Sequence, residues 1–299
     1  MFDRTQLEAF SAVVQHGSFE RAATVLNVTR GAISQRVKAL EEALATMLVV
    51  REKPVVATRK GEILLRHVRA LKTLEDDTIS AILPKLQERA PVPIAMAVNA
   101  DSLSTWFGPL VAQLLGQFKI ALEIISDDQD HTFARLTKGE VMGCVSSEPN
   151  AIAGFEATPL GAMHYLCVAT PEFRQKYFPN GMSITTAVTA PAILFDRKDA
   201  LHDQYLEQLF GVKVAQYTRH YLPSPTALLD GICAGLGYAM APGLRIAPLL
   251  KTGQLVELTP SCKVSVPLYW HHWQMELPLA QAMTQTITAH ARKMLDQPA

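Results

Sequence analysis

Residues 18–44 read SFERAATVLNVTRGAISQRVKALEEAL, and two short helices fit into them with almost no chain left over between. Ser18 stands where an N-cap belongs, and Phe19, Ala22, Ala23 and Leu26 follow at i, i+3, i+4 and i+7, the stripe of an Ala-rich helix ending near Asn27. Only Asn27 and Val28 separate it from Thr29, a second N-cap, after which Ile33, Val37, Leu40 and Leu44 lie on one side of a further helix. Upstream, Leu7, Phe10, Val13 and Val14 recur at helical spacing until His16-Gly17 stops the pattern. Two helices joined by so brief a turn make a helix-turn-helix.

At 100° per residue, the face opposite the apolar stripe carries Gly31, Gln35, Lys38 and Glu42, with Ser34 and Arg36 on its flanks and Arg30 in the first turn. Arg pairs with guanine, Gln with adenine, and Ser and Lys with base edges or phosphate, so this face suits a major groove. Gly31 would let the backbone come close. A three-helix bundle with a solvated polar face would show the same periodicity, and the compact turn and polar first turn favour DNA over it. Met47–Val50 and Val55–Thr58 then read as a hairpin wing around Arg51-Glu52-Lys53-Pro54. With Arg51, Lys53, Arg59 and Lys60 gathered there, such a wing could clamp phosphates, a contact that positions without reading sequence.

From Gly61 to about Leu86, Leu64, Val68, Leu71, Leu74, Ile79, Ile82 and Leu83 outline a long linker helix suited to dimerisation, closed by a hinge at residues 88–93. The 299 residues balance 28 Lys+Arg against 28 Asp+Glu, yet residues 1–90 hold 14 basic and 11 acidic side chains, a local excess of +3. With 48% apolar and 19% charged residues, the composition excludes collagen, rod-like coiled coils and disordered chains, and its length suggests two domains. No run approaches the length of a membrane span, and MFDRTQLEAF lacks the pattern of a secretory signal, so a cytoplasmic protein with no membrane partner is expected. Cys144, Cys167, Cys233 and Cys262 show neither disulfide-framework nor zinc spacing.

The stretch LEAFSAVVQHGSFERAATVLNVTRGAISQRVKALEEAL, followed by VVREKPVVATRKGEILL, resembles the LysR-type transcriptional regulators. AVNADSLSTWF, KYFPNG, LFDRKD, LVELTP and LYWHHW resemble the ArgP and LysG branch of that family, whose regulators sense lysine or arginine and control basic amino-acid export. The resemblance implies an N-terminal all-α winged helix-turn-helix plus linker helix, and a C-terminal α/β two-lobed periplasmic-binding-protein-like effector domain. It further implies a double-stranded DNA operator, a small-molecule effector (lysine or arginine), self-association as dimer or tetramer, and RNA polymerase as a partner. The implied division is 1–60, 61–90 and 91–299, with lobe I at about 91–163 and 267–299 and lobe II at about 164–266. Two positions depart from the family: Thr29-Arg30-Gly31 replaces Thr-Gln-Ser or Thr-Gln-Pro, and Ser224-Pro225-Thr226 replaces a segment that more often reads Ser-Ser-Glu.

Read by itself, the second half alternates strands and helices: strand 94–99, helix 101–115, strand 121–126, helix 132–138, strand 141–145. Strands at 165–169, 192–195, 216–221 and 237–240 continue the rhythm, and strand 267–270 with helix 279–294 returns to the first lobe. Ligands of open α/β sheets bind beyond the carboxyl ends of strands. There Asn99, Asp101 and Ser102 could hold a ligand's carboxylate and ammonium, although they could equally serve as a helix cap. Asp127, with Asp128 and Asp130, could attract a cationic side chain, and Ser146, Asp196 and Ser224 fall at ends that would face the same cleft. No G-x-S-x-G, P-loop or complete G-x-G-x-x-G is present, His271 and His272 lack metal-site spacing, and neither catalysis, metal nor cofactor is expected. A hydrolase assembled in space and a stand-alone solute-binding protein are the rival readings, and the latter has no use for the first ninety residues.

Overall fold

The computed structural model describes residues 2–82, 91–126, 135–214 and 216–297. The chain divides into two compact units, Met1–Pro91 with Ala134–Val141, and Val92–Phe133 with Met142–Ala299, each described by itself.

In the first unit, α1 (Arg4–His16) starts where Asp3 accepts a hydrogen bond from the Gln6 N–H and stops at Gly17, whose φ of 61° only glycine adopts freely. Ser18 and Thr29 cap α2 (Phe19–Val25) and α3 (Arg30–Ala43), accepting from the Arg21 and Ala32 N–H groups. Phe10, Val13, Ile33, Val37 and Leu40 are completely or almost completely buried, and Ala22 and Ala23 are small enough to let the helices close on one another. Each large side chain in that set contributes about 1.5–3 kcal/mol on burial. The wing is shorter than its sequence suggests: β1 (Val49–Val50) pairs antiparallel with β2 (Val56–Ala57). Thr58 then begins α4 (Arg59–Ile82), its hydroxyl accepting from the Gly61 N–H and donating to the Met47 carbonyl. Residues 83–90, which include the end of the expected linker helix and the first half of the expected hinge, lie outside the described residues.

In the second unit, parallel β3 (Val92–Ala97), β4 (Ile120–Ile125) and β5 (Gly143–Ser146) form one lobe with the helix Pro278–Met294. Both lobes share the long strand β6 (Phe155–Ala169). Parallel β7 (Ala192–Leu194) and β8 (Arg219–Tyr221), with β9 (Ala239–Pro242) and β10 (Val256–Glu257), belong to the other lobe, and β11 (Lys263–Trp273) pairs with β6 along its length. The main sheet runs in the order β10-β6-β11-β5-β3-β4, and β9 pairs with β6 as well. Only the last residues of β6 and the middle of β11 are evident in the sequence, because Pro159, Gly161 and Pro267 look like breakers. The structure turns them into a bend: the register slips between Leu268 and Tyr269, placing a bulge at Leu160 that a proline lacking an N–H accommodates. Pro93, expected in the hinge, lies inside β3 opposite Ala121.

The expected single helix 101–115 is broken into α5 (Ala100–Ser102), one π turn over Leu103–Phe107, and α6 (Gly108–Gln117). Pro109 explains the break, since it cannot donate the i→i−4 bond to Thr105. Trp106, Phe107, Leu110, Trp270, Met283 and Ile287 fill the core beneath, and the Trp270 indole lies so close over Gly143 that a Cβ there would sit 2.2 Å from it. Among the described residues no helix is long and apolar enough to cross a membrane.

Candidate nucleic-acid interface and ligand cleft

On α3, burial of Ile33, Val37 and Leu40 leaves Arg30, Gly31, Gln35, Lys38 and Glu42 exposed and Ser34 half-buried, so the expected groove-reading side chains share the outer face. Gly31 has open space where a Cβ would be, the nearest atom being the Thr29 hydroxyl oxygen at 3.9 Å. Arg30 Nε lies 2.8 Å from Glu20 Oε1 on α2. Glu20's own N–H and the Ser18 hydroxyl hold that carboxyl below its ordinary range, helped by Arg30 and Lys53 nearby. Lys38 approaches Glu42 at 3.5 Å, one helical turn on.

The wing cations separate into two kinds. Arg51 is tied down: its Nη2 lies 3.2 Å from Glu41 Oε2, and its guanidinium lies 5.7 Å from the centre of the Phe19 ring. Glu41, only 6% exposed, also accepts from the Leu48 and Val49 N–H groups at 2.7 and 3.3 Å, and so anchors the hairpin to α3. Lys53 and Lys60 are exposed. Lys38, Arg51, Arg59 and Lys60 line one open concavity between the end of α3, the wing and the start of α4. Arg59 belongs to the basic cluster visible in the sequence, whereas the anchoring role of Glu41 emerges only from the structure; its position one residue past Leu40 on the apolar stripe is the signal that could have found it.

In the second unit, a cleft of about 710 Å³ is lined from both lobes. Of the expected effector contacts, Asn99, Asp101 and Asp196 line it. Asn99 also caps α5, accepting from the Ser102 N–H at 3.1 Å. Three serines do not line it. Ser102 is completely buried, its hydroxyl without a hydrogen-bond partner among the described residues. Ser146 is buried at the end of β5 and accepts from the Glu148 N–H, so that the next residue, Ser147, reaches the cleft instead. Ser224 is taken up in capping the helix Pro225–Cys233. Asp127, with Asp128 and Asp130, lies outside the described residues.

The cleft's other polar groups come from positions the sequence does not single out. The Tyr165 hydroxyl on β6 donates to Asp101 Oδ2 at 2.8 Å. Burial pushes the Asp101 carboxyl above its ordinary value, opposed by that hydrogen bond, reinforced by the charge of Asp199 and opposed again by Arg245. Burial likewise raises Asp199, against the Leu201 and Phe195 N–H groups that donate to it. Asp196 accepts from the Lys198 and Asp199 N–H groups, so it shapes the loop as well as facing the cavity. Arg245 donates to the Thr226 hydroxyl at 3.2 Å, while its Nε is buried without a hydrogen-bond partner among the described residues. Among the described residues the charged lining is therefore Asp101, Asp196 and Asp199 against Lys198 and Arg245. Among the described residues no three His, Cys, Asp or Glu side chains converge as metal ligands.

Comparison with known proteins accounts for both units. Residues 4–62 match the family of bacterial regulatory helix-turn-helix proteins of the lysR type, and residues 86–292 match the LysR substrate binding domain. The HTH-type transcriptional regulator ArgP of Vibrio cholerae is 37% identical over 295 residues, 99% of each chain. The crystal structure of ArgP from Mycobacterium tuberculosis superposes with a TM-score of 0.92 at 35% identity over 100% of both chains. Full-length LysG from Corynebacterium glutamicum with bound effector Arg superposes with a TM-score of 0.84 at 32% identity, over 99% of this chain and 100% of that one. A helix-turn-helix with an outward polar face, a two-lobed domain around a charged cleft, and relatives matched from end to end lead to one conclusion: this chain belongs to the LysR family of bacterial helix-turn-helix transcriptional regulators.

Proposed function

We propose that this regulator senses a basic amino acid, lysine or arginine, and controls genes for its transport, export or metabolism. The observation that carries the reading is the cleft's charge: among the described residues, three carboxylates stand against two cations, an acidic excess that suits a cationic amino acid. In this reading Arg245 and the α5 end at Asn99 take the ligand's carboxylate, and Asp101 and Asp199 take its ammonium groups. The likeness to LysG, whose structure holds arginine, supports the same ligand class.

On the DNA side, Arg30, Ser34 and Gln35 read base edges, Gly31 lets the backbone approach, and Lys38, Lys53, Arg59 and Lys60 hold phosphates. Arg51 serves mainly to fix the wing. Pairing through α4 sets two recognition helices on half-sites about 34 Å apart or a multiple of that, and two such dimers make a tetramer. The protein works in the cytoplasm, where its operator is. By linkage, the effector acts only through a preference for one arrangement of the assembly.

Thermal unfolding of the full-length protein against lysine, arginine, their neutral analogues norleucine and citrulline, and acidic and aromatic amino acids tests the ligand class. Ligand at about 100 times its dissociation constant adds about 2.7 kcal/mol, a shift of about 5 °C or more in a domain of this size. A shift with lysine or arginine that the neutral analogues do not reproduce supports the reading. A shift with a neutral or acidic ligand alone overturns it and leaves the DNA-binding regulator standing.

A further inference from the structure

Arg30 does not wave freely in the DNA-free protein. Its Nε is held by one oxygen of Glu20 at 2.8 Å, and the other oxygen of the same carboxylate accepts from the Ser18 hydroxyl at 2.9 Å. Ser18 is itself fixed as the N-cap of α2, accepting from the Arg21 N–H. A chain of polar contacts thus runs from the cap of the first helix of the motif to the first turn of the second. Glu20 meets the guanidinium at Nε, and the end formed by the two Nη groups is a planar fork whose geometry matches the O6 and N7 acceptors of guanine.

We propose that Glu20 is a positioning residue for sequence recognition, presenting the Arg30 guanidinium as a pre-set fork to a base edge. The proposal rests on the reading of Arg30 as a base contact. An unrestrained arginine in the same place can reach a phosphate as easily as a base, and a phosphate contact carries no sequence information. The two side chains are 69% and 62% exposed, so their ion pair adds little to folding stability, and removing it acts on recognition and not on the fold. Glu20 also carries a negative charge on the side that faces DNA, where it disfavours phosphate contact by Arg30 and Lys53. Its two effects have opposite signs: it raises discrimination and lowers sequence-independent affinity.

The test uses full-length protein and a pool of randomised duplexes, from which the wild type selects one enriched duplex. Affinities of wild type, Arg30→Ala, Glu20→Ala, Glu20→Gln and the double Ala variant are then measured by fluorescence anisotropy at one salt concentration. The targets are that duplex, each of its single base-pair substitutions and an unrelated duplex. Arg30→Ala flattens preference at one position of each half-site. Glu20→Ala lowers discrimination at that same position by about threefold to tenfold, part of what removing a whole bidentate pairing costs, and tightens binding to the unrelated duplex. Glu20→Gln, which keeps a neutral acceptor, falls between, and the double variant matches Arg30→Ala in its base preferences. If Arg30→Ala changes the preferences and Glu20→Ala does not, the positioning role is overturned and the base-reading role survives. If Arg30→Ala itself changes nothing, both fall. Loss of discrimination at every position together with a lower melting temperature would reduce Glu20 to a structural residue of α2 and also overturn the proposal.

Discussion

Asp101 meets opposite demands in the ligand-free and the loaded regulator. Without ligand, burial raises its pKa, so its charged form at neutral pH costs folding stability; a bound cation relieves that cost. Asp101→Asn keeps an acceptor for the Tyr165 hydroxyl and removes the charge. The ligand-free variant should melt higher than the wild type at neutral pH, and should no longer respond to the amino acid. In the wild type, effector affinity should fall as pH drops through the raised pKa of Asp101, because protonation removes the ligand's partner; calorimetric titration across pH measures this. Glu41 is a different kind of carboxylate, a structural one. Glu41→Ala leaves the buried Leu48 and Val49 N–H groups without their acceptor and should cost about 2–4 kcal/mol. Arg51→Ala, which removes a half-exposed partner, should cost about 1 kcal/mol or less, and urea unfolding of the two variants gives the order.

Elements are held together at points where nothing larger or neutral fits. The first turn of α4 lies against the hairpin so closely that a Cβ on Gly61 would come within 2.0 Å of the Leu48 carbonyl oxygen. Gly61→Ala must therefore push α4 from the wing, at a cost of about 1–3 kcal/mol, and should weaken DNA binding without altering any side chain that meets DNA. At the end of β11, the Trp270 indole donates to the Thr284 hydroxyl, which donates to Glu276 Oε1, 3.3 Å from His272 Nδ1. Burial opposes charge on His272, but Glu276 and the Trp273 carbonyl outweigh it and hold its pKa above the ordinary 6.5. A histidine whose folded pKa is raised contributes stability in full below about 6.5 and loses it as pH rises through the folded value. The stability difference between wild type and His272→Gln should accordingly shrink as pH rises from about 6.5 through the raised folded value, as thermal unfolding at each pH would show. His202 and His271, lowered by burial, act with the opposite sign and below 6.5, and the comparison with the variant cancels them.

Over the whole molecule, a net charge of zero hides the distribution that matters for DNA. The basic excess of the first ninety residues is small, so affinity has to come from where the cations stand. Lys38, Arg59 and Lys60 converge on one concavity. Lys60→Ala should weaken binding to all duplexes alike. It should also reduce the slope of log affinity against log salt by about 1 for each phosphate no longer neutralised, about 2 for a dimer. An unchanged slope would place Lys60 off the phosphate backbone.

The helix-turn-helix, its outward face and the alternation of the second half are legible along the chain, because caps and apolar stripes act within a few turns. Ser18, Thr29, Ile33 and Val37 are enough to phase α2 and α3, and that phase puts Arg30, Gln35 and Lys38 outside. Which side chains meet in the cleft depends on long-range packing. Tyr165 and Asp101 are 64 residues apart, and no local period announces that they share a hydrogen bond. A strand that ends one residue later turns the next side chain to the other face, which is why Ser147 and not Ser146 lines the cavity. The lengths of β6 and β11 were hidden for the same reason: Pro159 and Gly161 break a strand locally, and only pairing with a partner across the sheet turns that break into a bulge between two lobes.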